Sequence, residues 1–455
     1  MPRTLLRIIA LLLPLSASFA QMTLEQVVQD ASAKYPAVRA SLEQVAAAAA
    51  AVNLARTAFL PRADIGGQVD RATHNNIFGI MVPQPGLYPT ITGPVLGTNS
   101  LDNVWGSAVG ALVQWEPFDF GLRNANVAAA QAARERAGAR VAVTRLQAVA
   151  AAADAYLTIL AARQTVTAAA AGVERARVLS VVVDALVKNE LRPGAEASRT
   201  KAELALAQTQ LIQAEQSVEV GQAALSQVLG LPPSQISIVP GKLLDPPAEW
   251  ESLPERAPGE HPVAQVQKLA VSEVQAREKA LDRSWYPRFN VEAASYARGT
   301  GIQASGATGG AASGLGPNTQ NWAVGMTVTF PLFELASLKA RKEMEHHQEL
   351  AEQARYDQVL LDLNGEVARA QAMVRGARRV AANTPIQLEA ARATEQQASA
   401  RYKAGLGTIV EVAEAQRLLT QAEIDDSLAR LSVWRALLAL AVAQGDVESF
   451  VQLAK

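Results

Sequence analysis

Two stretches of strict alternation govern the reading of this chain. In the first, Trp105, Ser107, Val109, Ala111, Val113 and Trp115 fall on one side, the period-two mark of a strand with one apolar face. Pro117 cannot donate to a ladder and is predicted to end it. From there to about Glu190 the chain has no proline, and it is rich in Ala, Leu, Glu, Gln and Arg, all strong helix formers. Such a helix would run on the order of 100 Å. That exceeds a single globular core, so it needs partners along its whole length. In the second stretch Trp322, Val324, Met326, Val328 and Phe330 alternate, Pro331 stops the strand, and a helical run follows to about Gly405. A membrane-sized strand joined to a long helix, made twice, suggests a tube that crosses one membrane and reaches far beyond it.

The rest of the chain divides around these units. Residues 21–230 read as a first repeat: short helices over Thr23–Lys34 and Ala37–Phe59, strands at about 62–73 and 103–116, a long helix at about 120–190 and a helix over 195–230. Ala63, Ile65, Gly67 and Val69 alternate in the first strand, and the Pro-, Gly-, Asn- and Thr-rich residues 74–103 read as a solvated loop. Residues 231–261 are a proline-rich linker. A second repeat over 262–443 holds a helix over 262–285, strands at about 288–299 and 320–331, a long helix at about 335–404 and a helix over 408–443, before a tail at 444–455. Pro36 and Pro262 lie 226 residues apart, as do Pro61 and Pro287; Pro117 and Pro331 lie 214 apart, which makes the second inter-strand loop twelve residues shorter. A length change confined to a strand-strand loop is what a duplicated hairpin tolerates. The fold class is therefore α+β, with two repeats that each contain a β-hairpin and long plus short α-helices.

In the second long helix Leu360, Leu363, Val367, Ala370, Val374 and Ala377 step by three and four, and Leu146, Val149, Ala153, Tyr156 and Leu160 follow the same register in the first. These steps mark a coiled-coil seam. Pro385 is expected to kink the second helix or break one turn, and Gly172 suggests a matching bend in the first.

Composition narrows the setting. Arg3 and Arg7, the apolar run Ile8–Leu15 and Ser18-Phe19-Ala20 read as a signal peptide over 1–20 with cleavage before Gln21. The chain has no cysteine, hence no disulfide or thiolate metal site. After residue 20 no run is long and apolar enough for a transmembrane helix, so any crossing must use strands closed into a barrel. Four strands are too few, since small barrels need about eight. Several chains must share one barrel. A net charge of −1 gives no electrostatic reason to expect nucleic acid.

Order, spacing and junctions together resemble the TolC-like outer-membrane efflux proteins. The most specific match is Gly405-Leu406-Gly407-Thr408-Ile409-Val410-Glu411-Val412-Ala413-Glu414-Ala415, which is similar to the family's turn from its second long helix into its last one. The resemblance implies a homotrimer with a shared 12-stranded barrel in outer-membrane lipid of a Gram-negative bacterium. It also implies a coiled-coil helical barrel in the periplasm, opened when a periplasmic adaptor and an inner-membrane transporter dock. On it, Glu411 and Glu414 fall on the acidic positions of the periplasmic constriction and Glu196 on the acidic position of the first-half turn. The family prototype's gate arginine is replaced here by Gly407, which leaves the latch of the closed state to other contacts.

The residues themselves qualify these roles. Glu411 and Glu414 share a helix face, where the ordinary alternative is a solvated Glu pair. Six such carboxylates around a trimer axis would repel and raise some pKa values. Asn189, Leu191, Gly405 and Leu406 sit at the two helix turns, as adaptor contacts or as a helix cap with leucines sealing a hairpin. Trp105, Trp115, Trp322 and Phe330 suit interfacial girdles, and Asp64 and Asp70 a water-filled lumen. His346-His347, near Glu343 and Glu345, is a weak metal signal, because adjacent residues on a helix do not converge, and an exposed polar stretch is the favoured reading. No cofactor or enzyme motif is present. The reading is a passive export duct for drugs, metal ions or polypeptides, and the competing one is a secreted coiled-coil stalk.

Overall fold

The computed structural model describes residues 21–73, 101–248 and 253–455. The expected signal peptide and nearly all of the 74–103 loop lie outside the described residues. In chain order the elements are α1 (Leu24–Lys34), α2 (Pro36–Thr57), β1 (Arg62–Thr73), β2 (Asn103–Phe118), α3 (Leu122–Lys188) and α4 (Gly194–Leu229). They continue with α5 (Pro262–Ser284), β3 (Arg288–Thr300), β4 (Thr319–Thr329), α6 (Leu335–Lys403), α7 (Ile409–Ala443) and α8 (Val447–Leu453). Among the described residues no helix is long and apolar enough to cross a membrane. The residues group into two compact units. The first holds residues up to 43, 138–266 and 356–455, and the second holds 44–137 and 267–355.

The second unit contains the only sheet among the described residues, antiparallel in the order β1-β2-β3-β4. Ile65 pairs with Ala111, Ala111 with Ser295 and Ser295 with Trp322. Because side chains alternate across a strand, this register gathers Ile65, Val69, Val109, Val113, Val291, Val324 and Met326 on one face. Asp64, Gln68, Asp70, Gln114, Glu292 and Asn321 gather on the other. The period-two pattern thus separates the faces by polarity. Pro117 does not end β2 as the sequence suggests. The strand runs on to Phe118, and its register against β3 shifts between Trp115 and Phe118, a bulge where a missing N–H is tolerated.

At the β2–α3 junction Phe120 (φ 52°) and Gly121 (φ 92°) reverse the backbone. Asp119 then caps α3, accepting from the Gly121 and Arg123 amides at 3.1 and 2.7 Å and from Arg123 Nε at 2.9 Å. Burial raises the Asp119 pKa, but these bonds outweigh it and hold the carboxyl below its ordinary range. Arg123 also lies over the Phe59 ring, 4.8 Å from its centroid.

The first unit carries the main core. The expected seam is buried there: Val149, Ala153, Tyr156 and Leu160 of α3 pack with Ala370 and Val374 of α6 in one cluster that also holds Leu225, Trp434 and Phe450. One expected break does not occur. Helix α6 continues unbroken through Pro385, so no turn is lost. Gly172 serves close approach: a Cβ there would meet Thr420 Oγ1 of α7 at 2.9 Å. The residues after 443 are also more than a tail. Asp446 caps α8, accepting from the Ser449 amide at 3.3 Å, and Phe450 packs edge-on against Trp434 with ring centroids 6.2 Å apart.

Candidate functional site

The turns after α3 and α6 belong to the first unit and close in the same way. Leu191 N donates to Leu186 O and Glu190 N to Val187 O, both at 2.9 Å. Leu406 N donates to Arg401 O at 2.8 Å and Gly405 N to Tyr402 O at 3.0 Å. These are paired Schellman closures, with Glu190 (φ 60°) and Gly405 (φ 76°) in the left-handed position. Gly405 is therefore a helix cap. The leucines do not seal the hairpins: Leu191 is 68% exposed and Leu406 73%. Asn189 turns inward on its own helix, donating from Nδ2 to Ala185 O at 2.7 Å. Behind the turns Val183, Ala197, Tyr402, Ile409 and Val412 form a small core that joins them.

A polar tie crosses that core. The buried Tyr402 hydroxyl donates to Glu196 Oε2 at 2.8 Å. The Arg192 guanidinium lies 4.9 Å from the Tyr402 ring centroid and 3.9 Å from Glu196 Oε1. One hydroxyl therefore links α6 to α4, with a cation on the aromatic face. Burial, then the bonded carboxylate, pushes the Tyr402 pKa up to about 12. Glu196 is engaged here by its own chain.

The other acidic candidates start α7. Thr408 accepts from the Glu411 amide at 3.3 Å and donates its hydroxyl to Glu411 Oε1 at 3.3 Å. Glu414 is exposed and pairs with Arg417 at 2.7 Å. The hydrogen bond from Arg417 is the main reason its carboxyl lies below the ordinary value. Gly407 is fitted to its place. A Cβ there would come within 3.3 Å of Arg401 Cβ, Glu411 Oε2 and Tyr402 N. Arg401 donates from Nη2 to Leu406 O at 3.2 Å, and Arg192 brings a second cation from the other turn. Further along, Arg175 of α3 donates to Thr420 and to Glu423 of α7, each at 2.8 Å. The Thr384 hydroxyl of α6 donates to the buried Asp426 of α7 at 2.9 Å.

Sequence reasoning missed Tyr402 and Arg192. Arg192 and Glu196 show the i, i+4 spacing of an ion pair, which could have flagged them. Nothing local pairs Tyr402 with a carboxylate 206 positions away.

In the second unit much of the apolar sheet face is exposed. Ile65 is 87% exposed and Trp322 80%, with Val69, Val324, Met326 and Val328 also exposed. Trp105, against Arg71 (5.1 Å to the ring centroid), marks the loop end of the face. Trp115, donating Nε1–H to Phe59 O at 3.1 Å, and Phe330, 6.2 Å from the Trp285 ring, mark the helix end. Trp322 pairs with Ser295, four positions along β3 from Trp115's partner Val291, so it lies partway along the face. Asp64 and Asp70 are on the polar face, Asp64 paired with Arg62 at 2.9 Å. An apolar face this large is rare on water-exposed monomers. It has the character of a surface that meets lipid.

Residues 27–231 and 253–446 match the family described as outer membrane efflux protein. No curated protein matches the chain. Several solved structures share the fold. The outer-membrane channel OprN is 20% identical with a TM-score of 0.71, covering 93% of this chain and 89% of that chain. VceC of Vibrio cholerae is 17% identical with a TM-score of 0.70, covering 93% and 96%. The open state of the MtrE outer membrane channel of Neisseria gonorrhoeae is 18% identical with a TM-score of 0.69, covering 93% and 89%.

Proposed function

Since the chain belongs to the outer membrane efflux protein family, we propose that three copies join their four-stranded sheets into one 12-stranded barrel and form the exit duct of a tripartite export system. The observation that carries this is the sheet itself. Among the described residues β1 and β4 are the two edge strands of the sheet, one face is apolar and largely exposed, and the other is polar. In lipid every backbone group must be paired, so an open sheet cannot span alone. Closing β4 of one copy on β1 of the next satisfies both edges. It turns Ile65, Val324 and Met326 to lipid, and Asp64, Gln114 and Glu292 to a watery lumen. A soluble stalk has no use for such a face.

The turns carrying Leu191 and Leu406 form the periplasmic end, where a periplasmic adaptor docks and an inner-membrane transporter supplies the energy. Passage involves no covalent chemistry. Glu411 and Glu414 line the constriction as an acidic ring, tempered by Arg417. The Tyr402–Glu196 bond with Arg192 supports a latch between the helix pairs, in the role left open by Gly407.

Reconstitution in planar bilayers tests this reading. Purified protein should cross-link as a trimer and give small, discrete, cation-selective steps, with selectivity reduced in the double variant Glu411→Gln, Glu414→Gln. Unchanged selectivity would remove both residues from the constriction. Protein that stays soluble without detergent and makes no steps would refute the duct.

A further inference from the structure

His346 and His347 diverge along α6, but the helix pairing supplies His346 with other company. We propose that Glu278 of α5 and His346 and Glu349 of α6 bind one divalent transition-metal ion, a clip between the two helices that does not depend on the export reading. His346 and Glu349 stand three residues apart and share a helix face, and Glu278 reaches them from the neighbouring helix. One ligand atom from each lies within 4.8 Å of the other two. Ligands about 2.1 Å from a tetrahedral ion sit about 3.4 Å apart, so small rotamer shifts of these side chains close the site.

Each group has a lone pair to offer. Among the described residues Glu278 and His346 make no hydrogen bond, and Lys342, the cation acting on Glu278, is held by Asp282 at 2.6 Å. Gln275 donates to Glu349 Oε1 at 2.7 Å, which orients that carboxylate, the outer-shell support that metal ligands need. Without an ion two half-buried carboxylates face each other across the helix pair, an arrangement that a doubly charged cation relieves. The donor set selects the ion. One imidazole with two carboxylates suits zinc, cobalt, nickel or manganese, whereas calcium and magnesium prefer oxygen alone. Three protein ligands leave the remaining positions to water.

The test is titration of full-length, detergent-solubilised protein without a histidine tag, using Co²⁺ followed by visible absorption and Zn²⁺ as competitor. One Co²⁺ per chain is expected, displaced by Zn²⁺. His346→Ala, Glu278→Gln and Glu349→Gln should each weaken binding about tenfold or more, and His347→Ala should leave it unchanged. Circular dichroism of each variant separates lost binding from lost fold, and the two Gln variants keep side-chain volume should His346→Ala misfold. Absence of a protein-dependent cobalt band overturns the site. So does equal loss in His347→Ala, or full affinity in Glu278→Gln, which would leave binding without the inter-helix ligand.

Discussion

Replacing Tyr402 with Phe removes one atom from the tie between the turns and leaves the ring against Arg192. The hydroxyl bonds an ionised carboxylate at 2.8 Å from a buried position, and hydrogen bonds to charged groups contribute about 1.5–3 kcal/mol. Arg192 at 3.9 Å continues to attract Glu196, so the loss is set at about 2 kcal/mol. If the bond is made only while the helix pairs are held together, that energy shifts the balance toward the untied state about 30-fold. Single-channel recording reads this as more frequent or longer openings without any partner protein. A double-mutant cycle of Tyr402→Phe with Glu196→Ala should return a coupling of about 1–2 kcal/mol in thermal unfolding. The pH dependence follows from the raised pKa of about 12. Because the folded value exceeds the ordinary value near 10, the contribution is whole below pH 10 and is lost as pH rises toward 12. Openings and melting temperature both unchanged in well-folded Tyr402→Phe would refute the reasoning.

Two further tests address packing and docking. Gly138 of α3 has open space where its Cβ would be, while Gly172 faces Thr420 at 2.9 Å. Gly138→Ala should therefore raise stability by about 0.5–1 kcal/mol, whereas Gly172→Leu should lower it by about 1–3 kcal/mol through overpacking, both read as shifts in melting temperature. Leu191→Glu with Leu406→Glu should leave the fold intact, because both side chains stand in solvent, and abolish cross-linking to the adaptor. Retained cross-linking would move the docking surface away from the turns.

What could be read from the sequence depended on how local each signal was. The alternations at Trp105–Trp115 and Trp322–Phe330 carry their own period, and the heptad steps at Leu360–Ala377 carry theirs, so strands, long helices and seam were legible. The broken turn expected at Pro385 is absent because propensity counts a lost hydrogen bond, about 3 kcal/mol in an isolated helix, and ignores neighbours. In the folded chain the residue beside it, Thr384, is anchored to Asp426 of α7, and one missing bond does not interrupt 69 residues of helix. The approach of Thr420 to Gly172 is invisible in one dimension. The residues after 443 were too few to display a helical period, although Phe450 is wholly buried. The acidic residues at the turns could be named singly, but their partners could not. Tyr402, Arg192 and Glu278 gain meaning only when separate helices are laid side by side.

The two outer strands of the sheet differ in a way that bears on the birth of the protein. Strand β1 carries Arg62, Asp64, Asp70 and Arg71, while β4, Thr319–Thr329, has no charge and no proline. Charges and prolines are what keep an open strand from recruiting the wrong neighbour. A newly exported chain therefore has one guarded edge and one adhesive edge, and its greatest hazard falls between leaving the export machinery and meeting a sister chain.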